Sequence, residues 1–210
     1  MTTYSVMRTT TAVFLLTLSV ILMAGTPPEP TIVSKLDECI QRRFLDGRAF
    51  GMSRVAGFAD AYHITRKFIP ENPTEDQAVS QLKKDGYEVA IFLAGRNIFS
   101  KEPNRYGVRS HVQGPAIVAS ARQRSAFPAA DELLSESRTA FASFQKGAGY
   151  TIQKGEWTVA MRPLRASSKR CVQCHTNGPA SAGATVSAPK IGDALGVAMY
   201  VYRRGALRHE

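Results

Sequence analysis

The segment Leu195 to Tyr202 constrains this chain most. Leu195, Val197, Met199 and Val201 alternate with Gly196, Ala198, Tyr200 and Tyr202. A period of two residues belongs to a β-strand, and the pattern predicts one face buried more deeply than the other. A strand needs neighbours, and the sequence offers them. Tyr87 to Ala94, "YEVAIFLA", is short, apolar and rich in β-forming residues. "YTIQKGEWTVAMRPL", starting at Tyr150, reads as a hairpin turning at Lys154-Gly155. Tyr106 to Val112 is a further candidate strand.

Other stretches carry helical spacing. Thr31 to Phe68 reads as two helices or one bent helix. Leu36, Ile40 and Phe44 recur every four residues, and Val55, Phe58, Ala59 and Tyr62 form a second apolar face. Thr74 is the expected N-cap of the next helix, with Gln77 as its capping-box partner and Gly86 as its stop. Pro128 opens another helix, running to about Gln145. Helices and strands in this order predict an α+β fold, an antiparallel sheet flanked by helices and preceded by N-terminal helices.

The N-terminus points to a compartment. Arg8 precedes an uncharged apolar run, Thr11 to Gly25, and "TPPEP" follows. This is the layout of a secretory signal peptide. Extended back over residues 9–25, the run is instead an uncleaved membrane anchor. The expected division is therefore 1–25 as signal peptide or anchor and 31–210 as a single domain. Either reading exports that domain to the periplasm or beyond.

Composition narrows the partners. Hydrophobic residues make up 44% of the chain, which is not the composition of a disordered protein. The formal charge is +10, from 27 Lys and Arg against 17 Asp and Glu. Such a surface favours an acidic partner. The basic residues are scattered in short clusters with no nucleic-acid-binding motif, so nucleic acid is not an expected partner. Oligomeric state is not legible.

The chemistry gathers at Cys171-Val172-Gln173-Cys174-His175. Cys-x-x-Cys-His is the attachment signature of c-type haem. Two thiols three residues apart add across the two vinyl groups on one porphyrin edge, and the next residue carries an imidazole to the iron. Cys171 and Cys174 are the expected thioether donors, and His175 the proximal ligand of one covalent haem c. A zinc site wants four ligands, but Cys39, His63, His111 and His209 are scattered. A redox dithiol lacks a βαβ context, and a disulfide across two residues would be strained. Export agrees with haem c, which is attached outside the cytoplasm.

From "WTVAMRPLRASSKRCVQCH" to Gly192-Asp193-Ala194-Leu195-Gly196, the C-terminal third resembles a family of single-haem c-type proteins with a PAS-like fold, exported as free domains or as sensor domains of receptors. The resemblance covers about residues 150 to 204. It implies a PAS-like sheet, one haem, and electron transfer or redox and ligand sensing. Some members take a sixth iron ligand from upstream of the first strand. Candidates here are His63, Cys39 and His111, followed by Met52, Met161 and Met199. Arg162, Arg165, Lys169 and Arg170 flank the attachment point and are candidate partners of the haem propionates. The alternative function is a haem enzyme of peroxidase or nitrite type with an open axial site, for which only His63 and His111 could act as distal groups. No catalytic constellation accompanies the motif, so an enzyme is the lesser expectation.

Overall fold

The computed structural model describes residues 31–45, 66–95, 112–120, 127–144, 149–177 and 188–205. The segment expected to be a signal peptide or anchor, His63, His111, His209 and Met52 lie outside these residues. So do the apolar face from Val55 to Tyr62 and most of the strand expected from Tyr106.

The elements follow in order. Helix α1 spans Thr31–Leu45, strand β1 Arg66–Lys67, helix α2 Pro73–Lys84 and strand β2 Tyr87–Gly95. Strand β3 spans Gln113–Ala119, and a 3-10 turn at Asp131–Leu133 leads into helix α3, Leu134–Ser143. Strand β4 is Tyr150–Lys154 and β5 is Trp157–Arg165. Helix α4, Lys169–Asn177, precedes the last strand, β6, Ala194–Arg204.

One sheet joins the strands in the order β1-β3-β2-β6-β5-β4. Five of them pair antiparallel, and the two-residue β1 adds a parallel edge to β3. The fold is therefore α+β, as the sequence pattern predicts. β6 holds the centre, with Tyr200 opposite Ile91 of β2 on one side and Ala160 of β5 on the other.

Both faces of the sheet are covered. Val89, Ile91, Leu93, Ala198, Tyr200 and Tyr202 pack with Leu36 and Ile40 of α1 and Leu82 of α2. Ala90, Phe92, Met161, Val197, Met199 and Val201 pack on the opposite face with Leu133, Ala140 and Phe144. This corrects the expectation for β6. Its residues from Leu195 to Tyr202 are all buried, because helices close both sides and neither face meets water. From Val197 to Tyr202 the alternation records which of two cores a side chain enters.

Three local expectations change. Residues Arg66 to Phe68 do not continue an N-terminal helix; Arg66 and Lys67 pair with Ala116 and Ile117. The N-cap of α2 is Asn72 rather than Thr74. The Asn72 side chain accepts from the Glu75 N–H at 3.0 Å, and Pro73 takes the first helical position, where its missing N–H costs nothing. Gly86 stops α2 as expected, with φ of 71°. The hairpin turn is tight, with Gly155 at φ 60°. The helix predicted from Pro128 starts later, as the 3-10 turn.

A buried ion pair ties α1 to α2. The Arg43 guanidinium donates from Nε to Glu75 Oε1 at 2.8 Å, pairs through its second nitrogen with Glu75 Oε2, and donates to the Ile69 carbonyl at 2.8 Å. It also lies 4.8 Å from the Phe68 ring centroid. Among the described residues, no helix is long and apolar enough to cross a membrane.

Candidate functional site

The end of β5 leads directly into the cysteine motif. Ala166 donates its N–H to the Asp193 carbonyl, and Gly192 donates to the Ala166 carbonyl, both at 2.8 Å. The turn before β6 is therefore stitched to the segment that opens α4. That turn closes on itself. The Lys190 N–H donates to Asp193 Oδ2 at 2.8 Å, and the Asp193 N–H returns to the Lys190 carbonyl at 3.0 Å. Gly192 takes φ of 96°, a conformation that a residue with a Cβ rarely adopts. Ala166, just ahead of "RCVQCH", and the "GD" turn are thus held together at one end of the sheet.

Ser168 starts α4. Its Oγ accepts from the Cys171 N–H at 3.4 Å, and its carbonyl accepts from the Val172 N–H at 3.3 Å. At 3.6 residues per turn, positions 171, 174 and 175 fall within one 100° arc of the helix. Cys171 and Val172 are partly buried against the same core as α1 and α2. The Cys171 Sγ lies 3.3 Å from the Ser168 Oγ and 3.8 Å from the Ser167 Oγ. Burial alone would raise the Cys171 thiol. Hydrogen bonds from the side chains and backbone of Ser168 and Ser167 outweigh that and hold it below its ordinary value. His175 is half-buried, with its Nδ1 sealed from solvent. The serine pair is the part of the site that motif reading passed over. Its signal was present, since a Ser three residues before Cys171 is a helix-start pattern.

Cys39 is placed differently. It is buried on α1, and its thiol is pushed up by burial and by the Glu75 carboxylate, against weaker lowering by Arg42 and Arg43. It is held as a neutral thiol on the flank of α1 that faces the Arg43–Glu75 pair. On the other flank, Tyr200 donates its OH to Asp37 Oδ1 at 2.7 Å. Gln41 Nε2 donates to the same oxygen at 3.2 Å and to the Pro163 carbonyl at 3.1 Å. Met161 and Met199 are fully buried opposite each other in β5 and β6, on the sheet face away from Cys171.

The basic residues divide. Arg165 donates to the Gly192 carbonyl at 2.9 Å and to the Phe144 carbonyl at 3.1 Å, tying α3 to the turn. Arg162 is half-buried and donates to the Met161 carbonyl at 3.2 Å. Lys169, Arg170 and Lys190 are exposed. Among the described residues, no three His, Cys, Asp or Glu side chains gather as a metal-binding group. No protein-family model, curated protein or solved structure matches the chain.

Proposed function

We propose that this chain is an exported c-type haem protein that holds one haem through Cys171 and Cys174, with His175 as proximal ligand, for electron transfer or for redox or ligand sensing. The observation that carries the reading is the placement of all three motif residues on one arc of α4, whose Cys171 is seated on the core beside the sheet. The donor set suits the group. A thiol held below its ordinary value is the better nucleophile toward a vinyl carbon, and an imidazole is a common iron ligand. The order of the five antiparallel strands is compatible with a PAS-like sheet.

The haem would supply a one-electron couple and, where an axial position is open, a site for a small ligand. The chain's own residues do the rest. Ser168 caps α4 and orients Cys171. The Ala166–Gly192 and Ala166–Asp193 bonds fix the start of the helix against the sheet. Val172 and the α1 side chains exclude water from that face.

The test is expression with export in a host that matures c-type haem, followed by denaturing electrophoresis with haem staining and by oxidised and reduced spectra. A haem-stained band that survives denaturation, lost in Cys171→Ser with Cys174→Ser, is expected. A colourless protein would refute the reading. A low-spin six-coordinate spectrum favours carrier or redox sensor. A high-spin ferric spectrum that shifts with peroxide or nitrite favours the enzyme.

A further inference from the structure

The stretch of sequence that carries α4 is one-sided in charge. Between Glu156 and Asp193 the sequence carries five basic residues, Arg162, Arg165, Lys169, Arg170 and Lys190, and no acidic one. The fold turns two of them inward, onto the Met161, Gly192 and Phe144 carbonyls. The carboxylate that ends the stretch, Asp193, is engaged by the Lys190 N–H. Three exposed cations are left. The paired backbone bonds from Ala166 to Gly192 and Asp193 bring Lys190 and Ile191 beside the segment that carries Lys169 and Arg170. Ile191 is 58% exposed, the most exposed large apolar residue described.

We propose that Lys169, Arg170 and Lys190, carried on two adjoining segments together with Ile191, form the docking surface for an acidic protein that exchanges electrons with the haem site. The purpose of this surface rests on the haem reading above; its binding chemistry does not. An apolar anchor inside a charged rim is how specific interfaces are built. The anchor supplies desolvation, while the rim steers approach and selects partners of opposite charge. An anionic membrane is the poorer occupant, because electrostatic lipid binding draws on clusters of about four to eight cations and this surface offers fewer.

The fold provides an internal control. Lys83 and Lys84 end α2 beside Gly86, whose carbonyl accepts from Gly205 just beyond β6. They lie at the opposite end of β6 from Lys190. Eleven residues of strand separate the two ends, about 35 Å at roughly 3.3 Å per residue.

The experiment measures binding of the purified full chain to a small acidic flavodoxin, at low and at physiological ionic strength. The triple variant Lys169→Glu, Arg170→Glu, Lys190→Glu is expected to weaken binding about tenfold or more at low salt. Lys83→Glu with Lys84→Glu is expected to change it less than about twofold. Ile191→Ser is expected to weaken binding at both ionic strengths. Equal effects of the two charge-reversed variants would overturn the proposal. So would flavodoxin binding indifferent to all of them, or phosphatidylglycerol vesicles that bind through the three cations while flavodoxin does not. A chain that stays colourless after export in a host that matures c-type haem, yet discriminates among the variants, would sink the haem reading and keep the docking surface. A haem-loaded chain that ignores the three cations would do the reverse.

Discussion

Replacing Glu75 by Gln tests the account of how α1 is held. Arg43 is 4% exposed and Glu75 is 1% exposed, so the pair is shielded from water on both sides. Glu75→Gln keeps the shape and removes the charge. The Arg43 guanidinium then stays buried with one neutral amide oxygen in place of the carboxylate, the Ile69 carbonyl, the Phe68 ring and the more distant Glu71 carboxylate, 3.7 Å away and part-exposed. Removing one partner of such a pair costs about 3–5 kcal/mol, most of it the penalty of an uncompensated charge. In a domain of this size each kcal/mol lowers Tm by about 2–4 °C, so the expected drop is roughly 6–20 °C. Replacing both partners, Arg43→Met with Glu75→Leu, removes the charges together and is expected to recover most of that loss. The assay is chemical denaturation followed by circular dichroism, run as a double-mutant cycle. Its pH dependence supplies a second reading. Burial alone would raise the Glu75 carboxyl, but the hydrogen bond from Arg43, helped by Glu71 N–H and Asn72, outweighs this and holds it below its ordinary value. Its stabilisation is therefore complete above the unfolded-state pKa of about 4.3 and is lost as pH falls through the lower folded value. Glu75→Gln should remove that part of the acid sensitivity. A cost below about 1 kcal/mol, or a double variant no more stable than the worse single one, would refute the reasoning.

Other consequences can be measured singly. Tyr200→Phe removes the hydrogen bond to Asp37 and should cost about 1.5 kcal/mol in denaturant titrations, since its acceptor is a carboxylate that keeps Gln41. Gly114→Ala should destabilise by about 1–3 kcal/mol in thermal melts, because its φ is 138° and an added Cβ would sit 2.6 Å from the Phe92 ring. Ser168→Ala in the haem-free chain should raise the Cys171 thiol pKa and slow its alkylation near neutral pH by roughly two- to tenfold, read by mass spectrometry across a pH series.

The fold was legible where one sequence signal answered one physical demand. β2 was found because its apolar run is short and rich in β-forming residues, the hairpin of β4 and β5 from its turn at Lys154-Gly155, and β6 because its side chains alternate with a period of two. The N-cap of α2 was misplaced because Asn72 and Thr74 both carry capping oxygens. The presence of Pro73 decides between them, by favouring the first helical position. The depth of β6 was misjudged for a different reason. Alternation shows that a strand has two unlike faces, but burial of the paler face, Ala198, Tyr200 and Tyr202, depends on helices α1 and α2, distant in sequence. The cysteine motif was legible as chemistry. Its serine partners were legible as a helix start but were passed over, whereas the bonds from Ala166 to the Gly192–Asp193 turn were not legible, because they require knowing that two distant chain segments lie side by side.

The same sheet decides which residues can complete the proposed haem site. Cys171 packs on the face covered by α1 and α2, whereas Met161 and Met199 face each other in the other core, among Phe92, Val197 and Phe144. Between them runs the hydrogen-bonded backbone of β5 and β6. A methionine sulfur cannot pass through that layer without breaking the central strand pairing, which would cost far more than an axial thioether bond returns. Met161→Leu with Met199→Leu is therefore expected to leave the oxidised and reduced spectra of the haem-loaded chain unchanged. Each volume-conserving exchange should cost less than about 1.5 kcal/mol. A change of spin state or loss of a low-spin spectrum in that variant, with the melting curve intact, would place a methionine on the iron and refute the division of the two faces.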